Sequence, residues 1–433
     1  VFVTGRLALA LAVGVIPVVV LSAAGMPAWG VAGLWTALCA VLTAVDVVLA
    51  ADPRRVTVMR RLPARVLRFA PVATTVLLRN GGPRPVRGEL RDAWQPTAGA
   101  PATRFRVDVP PGERRAIDVP LRPRRRGELR TGFVVLRTRG PLGFAGRQGR
   151  IDAPGAIRVL PPFTARRHLA SRLVRLRELD GSTSVQVRGQ GTEFDSLREY
   201  VRGDDVRSID WRATARAGTT MLRTWRPERD RHVVIVIDTG RTAAARVGDG
   251  VRMDAAMEAA LLLAALAQRA GDHVHLVMFD RVVRARVTRV DGPGLLPALV
   301  DAMAPVEPQL IDTDWDAAFA AVRTLTTRPS LMVLLTAQDA PETARGFLAA
   351  LPAATRRCPV LVGSVTDDDP PAPDRLTPDD VYELASRAQA TRDAERVGRA
   401  VRRAGGEAIA RGPEDLPPAI ADRYLTLKAA ARL

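Results

Sequence analysis

Two apolar runs stand almost back to back at the start of the chain, Leu7 to Ala24 (LALALAVGVIPVVVLSAA) and Trp29 to Ala51 (WGVAGLWTALCAVLTAVDVVLAA). Each is long enough to cross a hydrocarbon layer as a helix. The four residues between them, Gly25-Met26-Pro27-Ala28, carry no charge. Arg6 precedes the first run, and Arg54, Arg55, Arg60 and Arg61 follow the second. The excess of arginine on both outer flanks predicts a transmembrane helical hairpin at 1–52 with both ends in the cytoplasm. A cleaved signal peptide is the competing reading of the first run, and the second run directly behind it disfavours that. Pro17 predicts a tolerated kink, and Asp46 is expected at the interface or against the partner helix.

The rest of the 433 residues exceeds what one core usually organises, so at least two soluble domains are expected behind the anchor. The formal charge of +18 rests almost wholly on arginine, Lys428 being the one lysine. An anionic leaflet accounts for such a charge without nucleic acid, and aromatics at 4% leave little for base stacking. Cys39 and Cys358 lie far apart with no CxxC pair, which excludes a disulfide framework and a thiol-based zinc site.

Residues 53–162 read as an all-β, sandwich-like domain. Short runs such as RVTVM (55–59), VATTVLL (72–78), RFRVDV (104–109), AIDVPL (116–121), GFVVLRT (132–138) and AIRVL (156–160) are rich in β-branched residues, and several alternate polar and apolar positions as half-buried strands do. Pro110-Pro111-Gly112-Glu113 is the turn between two of them. Arg124-Arg125-Arg126 is expected to guard an exposed strand edge.

Residues 163–230 form a charged block. Gly189 to Arg216 reads GQGTEFDSLREYVRGDDVRSIDWRATAR, acids and arginines interleaved. The spacing predicts a short helix from Ser196 to Val201, stopped by Gly203, then a turn and a second short segment carrying Trp211. The charged residues either pair in a structural network or meet a partner. The spaced identities Gly189, Gly191, Glu193, Phe194, Leu197, Arg198, Tyr200, Gly203 to Asp205, Arg207, Ile209 to Trp211, Ala215 and Arg216 resemble the signature of the DUF58 family of bacterial proteins, often membrane-anchored and encoded beside MoxR-type AAA+ ATPases. The resemblance extends to Arg126-Gly127, Pro141-Leu142-Gly143 and Arg423-Tyr424-Leu425. It implies a von Willebrand factor A-like domain after the block.

The residues support an α/β doubly wound domain at 231–433 independently. Arg231 to Ile237 is an apolar run suited to a covered parallel strand, ending at Asp238. Helix and strand patterns then alternate through Met253–Ala270, His273–Phe279, Leu295–Met303, Trp315–Leu325, Leu331–Thr336, Glu342–Leu351 and Val360–Val365, with further helix over Val381–Arg403. Such A-type domains hold a divalent ion on a D-x-S-x-S loop. Here the loop is Asp238-Thr239-Gly240-Arg241-Thr242, so Asp238, Thr242 and a second threonine, Thr313, define a degraded metal site with Mg2+ as its candidate ion. Gly240 lacks the expected hydroxyl, Thr336 stands where an aspartate is usual, and a metal-free face is favoured. His273 and His275 share one strand face and read as packing or surface residues.

No nucleotide loop, nucleophile elbow or HExxH helix is present, and no residue set takes a catalytic role. The chain therefore reads as an inner-membrane protein with cytosol-facing soluble domains, and no cofactor is expected. The resemblance implies work with a MoxR-type AAA+ ATPase in assembly or maturation of protein complexes. Glu193, Arg198, Tyr200, Asp204, Asp205, Arg207, Asp210, Trp211 and Arg216 are the candidate partner-binding or structural residues. The alternative is a metal-dependent enzyme acting on a phosphate-containing or envelope substrate through Asp238, Thr242, Asp204 and Asp205. Nucleic acid is a third, weaker candidate partner, after the ATPase and the lipid bilayer.

Overall fold

A computed structural model describes residues 1–186, 193–202, 204–226, 231–248, 250–326, 328–366 and 377–430, with side chains placed outside 180–186, 193–196 and 224–226. Gly189, Gly191, Gly203 and the side chain of Glu193 therefore lie outside the described residues. The chain divides into two compact units, Val1–Leu160 and Pro161–Leu433.

In the first unit, strand β1 (Phe2–Val3) leads into α1 (Gly5–Val13), α2 (Val15–Ala23) and α3 (Ala28–Leu49). Two stretches, Gly5–Ala23 and Ala28–Arg55, are long and apolar enough to cross a membrane. The first run breaks at Gly14 rather than continuing as one helix. A Cβ on Gly14 would sit 2.2 Å from Cδ1 of Trp35, whose ring crosses the break and donates from Nε1 to the Ala10 carbonyl at 3.1 Å. Pro17 consequently falls in the first turn of α2, where a missing N–H costs little.

Eight further strands follow: β2 (Val56–Arg61), β3 (Arg65–Leu67), β4 (Val72–Asn80), β5 (Val86–Asp92), β6 (Arg104–Val109), β7 (Arg114–Leu121), β8 (Gly127–Arg139) and β9 (Ala145–Leu160). They make a sheet of order β1-β9-β8-β5-β6, with β3 added on β9, and a second sheet β2-β4-β7. Leu78, Val119 and Leu121 from one sheet and Leu90, Leu136, Ile157 and Val159 from the other share one buried core, the arrangement alternating strands produce when two sheets face each other. Arg60 and Asp92 join the two sheets by a buried bidentate ion pair at 2.7 and 2.9 Å. The guarded-edge expectation is corrected at Arg126. Arg124 and Arg125 are exposed, but Arg126 is only 6% exposed, because it leads into β8, which lies inside its sheet between β9 and β5.

In the second unit, α4 (Leu169–Gln186) precedes a two-stranded antiparallel arm made of β10 (Glu193–Glu199) and β11 (Met221–Arg226), which enclose α5 (Trp211–Ala217). The helix expected over Ser196–Val201 is thus a strand. Residues 221–226 offer it a ladder, Glu199 opposite Met221 and Leu197 opposite Arg223, with a register irregularity between Phe194 and Ser196, and a long-range pairing of this kind overrides a weak local preference.

The remaining elements are β12 (His232–Asp238), a small ribbon of β13 (Arg246–Val247) and β14 (Gly250–Val251), α6 (Arg252–Arg269), β15 (His273–Phe279), β16 (Val283–Val287), α7 (Leu295–Met303), α8 (Trp315–Arg323), β17 (Leu331–Leu335), α9 (Arg345–Thr355), β18 (Val360–Val365), α10 (Pro378–Arg403), β19 (Glu407–Arg411) and α11 (Leu416–Ala429). Their sheet runs β16-β15-β12-β17-β18-β19, parallel except for the edge strand β16. Val233, Ile235 and Ile237 face a core with α6, α7 and α11, whereas Val234 and Val236 face a second core with α8 and α9. Helices on both faces make every strand residue of β12 from Val233 onward buried, which is why this segment reads as an unbroken apolar run. Tyr424 on α11 is fully buried and donates to Asp272 at 2.5 Å, and Lys428 reaches the other oxygen of Asp272 at 3.0 Å.

Candidate functional site

Strand order reverses between β12 and β17, so their carboxyl ends flank the crevice where ligands meet open α/β sheets. Asp238 ends β12 there, 3% exposed. Its Oδ1 accepts from the Gly240 amide at 2.8 Å and the Thr313 hydroxyl at 2.5 Å, and its Oδ2 accepts from the Thr336 hydroxyl at 2.6 Å. Thr242 stands farther off, at 3.4 Å from Oδ2. Gln338 in turn donates to Thr336 at 2.9 Å. The structure thus gathers Thr242, Thr313 and Thr336, all named from the sequence, around Asp238, with Gln338 behind Thr336.

Beside this carboxylate lies a second that sequence reasoning missed. Asp280, fully buried just past β15, accepts from the Thr239 hydroxyl at 2.9 Å and from Arg284 at 2.6 Å. Burial alone would push its carboxyl up. The Arg284 guanidinium, the amides of Arg281 and Val282 and the Thr239 hydroxyl outweigh that and hold it below the usual carboxylate range. The signal available in the sequence was only its place one residue beyond an apolar strand.

These donors do not fit a divalent cation. A magnesium ion needs near-octahedral oxygen ligands at about 2.1 Å, but both oxygens of Asp238 are taken by hydrogen bonds and the threonine hydroxyls spend their protons on it. Gly240 explains the missing serine: a Cβ there would lie 2.4 Å from Oγ1 of Thr313 and 2.9 Å from the Ile311 carbonyl, while its backbone angles suit any residue. The adjoining cleft, about 10 Å³, is lined by Asp238, Thr336 and Arg252, so a cationic side chain already lines it. Arg241, the one charged side chain between Asp238 and Thr242, is paired with Asp312 at 3.0 Å. Among the described residues no group of three or more His, Cys, Asp or Glu side chains is arranged to hold a metal ion.

The charged block resolves into two kinds of residue. Arg198 donates to Asp204 at 2.6 Å, and Asp204 also accepts from the Val201 amide at 2.9 Å. Asp205 accepts from the Arg207 amide at 3.0 Å. Asp210 caps α5 through the amides of Arg212 and Ala213, both at 3.0 Å, and binds Arg223 at 2.7 Å. The Ala213 amide first, then Arg223, holds the Asp210 carboxyl below its ordinary range. These acids build the arm. Asp204 and Asp205 are therefore committed to local backbone and arginine partners and supply no ligand set for the metal-dependent enzyme reading.

The second kind faces outward. Trp211 is 71% exposed, with Val201 and Val206 at 62% and 61%, and Arg202, Arg207, Arg212 and Arg216 are exposed as well. Tyr200 is half-buried. An unburied tryptophan on a seven-residue helix contributes no core energy, so folding does not account for it.

Comparison with known proteins adds a family and little more. No curated protein matches the chain. Two solved structures of the CARDB domain of a Pyrococcus furiosus protein are similar, one in solution and one a crystal structure in complex with di-metal ions. Each is 17% identical, they cover 24% and 26% of this chain and 94% of their own, and their TM-scores of 0.19 and 0.20 carry no argument. Residues 196–404, which take in most of the arm and the sheet through α10, match the family described as "Protein of unknown function DUF58". Through that stretch, just under half of its length, the chain is similar to the DUF58 family.

Proposed function

We propose that this protein is a membrane-tethered protein-interaction module that engages its partner through the exposed face of the arm, with an A-type α/β domain as the rigid support. One observation carries the reading. The arm uses Asp204, Asp205 and Asp210 internally and leaves Trp211, Val201, Val206 and the side chains of Arg202, Arg207, Arg212 and Arg216 exposed, the mixture of aromatic and arginine side chains that dominates binding energy at protein interfaces. The apolar pair of helices would supply the tether, and the arginines on its outer flanks support a cytoplasmic position for the soluble units. The partner the family resemblance implies is a MoxR-type AAA+ ATPase, working with this module in assembly or maturation of protein complexes. The hydrogen-bonded cluster at Asp238 serves to fix the loops at the sheet's carboxyl end.

The test is capture of the ATPase by full-length protein in lipid nanodiscs under nucleotide-trapping conditions. Trp211→Ala with Arg207→Ala is expected to weaken capture at least tenfold, the loss of a hot-spot aromatic being worth about 2 kcal/mol, while amide exchange across β10 and β11 stays unchanged. Undiminished capture removes the arm from the interface, and no capture by the parent protein removes the ATPase. Protease protection of the 190–240 region from the cytoplasmic side would remove the topology.

A further inference from the structure

Asp46 lies in α3, inside an apolar run, yet it is fully buried. Its carboxylate is spent on the β-domain: Oδ1 accepts from the Leu142 amide at 2.8 Å and Oδ2 from the Ala145 amide at 2.9 Å. The approach is so close that a Cβ on Gly140 would fall 2.1 Å from Oδ1. Around this clasp, Arg147 donates to the Val47 carbonyl at 3.0 Å, Arg84 donates to that of Val48, and Thr138 donates to that of Ala51 at 2.6 Å. Thr4, ahead of α1, donates to the Gly143 carbonyl at 2.6 Å, and β1 pairs with β9. Cationic side chains thus cap the open carbonyls at the carboxyl end of α3, where the helix dipole favours them.

The consequence is geometric. The turn between β8 and β9 is fixed against the end of an apolar helix, with Leu142 42% exposed at its tip. Arg6, Arg54, Arg84 and Arg139 are exposed around the same end of the unit. Resting on the membrane reading above, we infer that this end of the β-domain is a seat for anionic phospholipid headgroups, with Leu142 entering the interface and the arginine ring meeting the phosphates. Charge complementarity selects an anionic lipid, since several arginines clustered next to an apolar span are each worth about 1 kcal/mol at an anionic surface. Continuity with α3 places the turn at headgroup depth: α3 ends at Leu49, three residues beyond Asp46.

The experiment uses the full chain in bilayers of phosphatidylcholine, with or without phosphatidylglycerol. A fluorophore is placed on Leu142→Cys or, as the distant reference, on Arg124→Cys. Arg124 lies beyond the other end of β8, a strand of 13 residues and hence about 40 Å long. Cys39 and Cys358 are buried, and burial pushes the Cys358 thiol up to about 11, so labelling favours the introduced thiol. Brominated lipids are expected to quench the label at 142 several-fold more than at 124, and more strongly when phosphatidylglycerol is present. Arg54→Gln with Arg139→Gln should reduce the phosphatidylglycerol dependence about fivefold per arginine, with flotation of the chain unchanged. Equal quenching at both positions, or no effect of the anionic lipid on a chain that still floats, overturns the seat alone. A chain that does not float overturns the membrane reading and the seat with it.

Discussion

Three of the chain's four histidines meet at the amino ends of β12 and β15. His232 stacks between His273 and His275 at 5.3 and 5.2 Å between ring centres, and His232 Nδ1 and His275 Nε2 share a hydrogen bond at 2.9 Å. His275 also binds the Thr288 hydroxyl at 2.7 Å, and His273 faces Asp291 at 3.0 Å. Burial first, then the neighbouring charge on His232, His273 and Arg289, pushes His275 down to about 4, against a weaker pull upward from Asp291. A base whose folded pKa is depressed takes up its proton in the unfolded chain first, near pH 6.5. Its contribution to stability is therefore whole above that pH and lost as the pH falls toward 4. Thermal melting of the second unit is expected to lose on the order of 2 kcal/mol between pH 7 and pH 4.5 through this residue, and His275→Gln should flatten that slope. A variant as acid-sensitive as the parent refutes the assignment.

Elements differ in how plainly the sequence announces them, and the reason is burial. β15, α7 and β18 coincide with their expected bounds because both faces of the sheet are covered and the apolar run ends where the cover ends. β16 (VRARV) and β19 (EAIAR) escaped notice because they are the two edge strands, half exposed and carrying the charges that keep edges from pairing. In the first unit β5 (VRGELRD) was missed for the same polar content. Asp238 was legible as a strand end, but the hydroxyls that satisfy it, Thr313 and Thr336, lie 75 and 98 residues away and were reached only through the family resemblance, since no local pattern spans that distance. The arm is the instructive case. Its charge alternation read as a helix, though its acids turned out to be caps and clasps for turns. Asp210→Ala removes both the cap of α5 and the partner of Arg223. It is expected to loosen α5, seen as faster amide exchange over 211–223 with β12 and β15 unaffected. Unaltered exchange in α5 would show that the cap does not hold the helix.

For the whole molecule the question is where it can be cut. The sequence reads as a hairpin at 1–52 and a separate β-domain at 53–162, yet the first unit runs unbroken from Val1 to Leu160. A chain begun at Val56 keeps every strand from β2 to β9 but loses the Asp46 carboxylate, the Ala51 carbonyl and the β1 strand. The amides of Leu142 and Ala145 are then without the Asp46 carboxylate, the Thr138 hydroxyl keeps only its longer bond to the Arg147 carbonyl, and a buried polar group left without an acceptor costs about 1–3 kcal/mol. Water reaches the two amides once the helix is gone, so the loss is the smaller end of the sum, about 2 kcal/mol. That is a large share of the 5–15 kcal/mol typical of a domain. A chain begun at Pro161 forfeits none of these bonds. The shortened β-domain is therefore expected to melt at least several degrees below the same domain in the full chain, with exchange fastest over 138–147. The chain from Pro161 is expected to melt cooperatively with its sheet protected. A β-domain that melts alike with and without residues 1–55 would mean that the helices hang from it passively, and the clasp at Asp46 would lose its mechanical role.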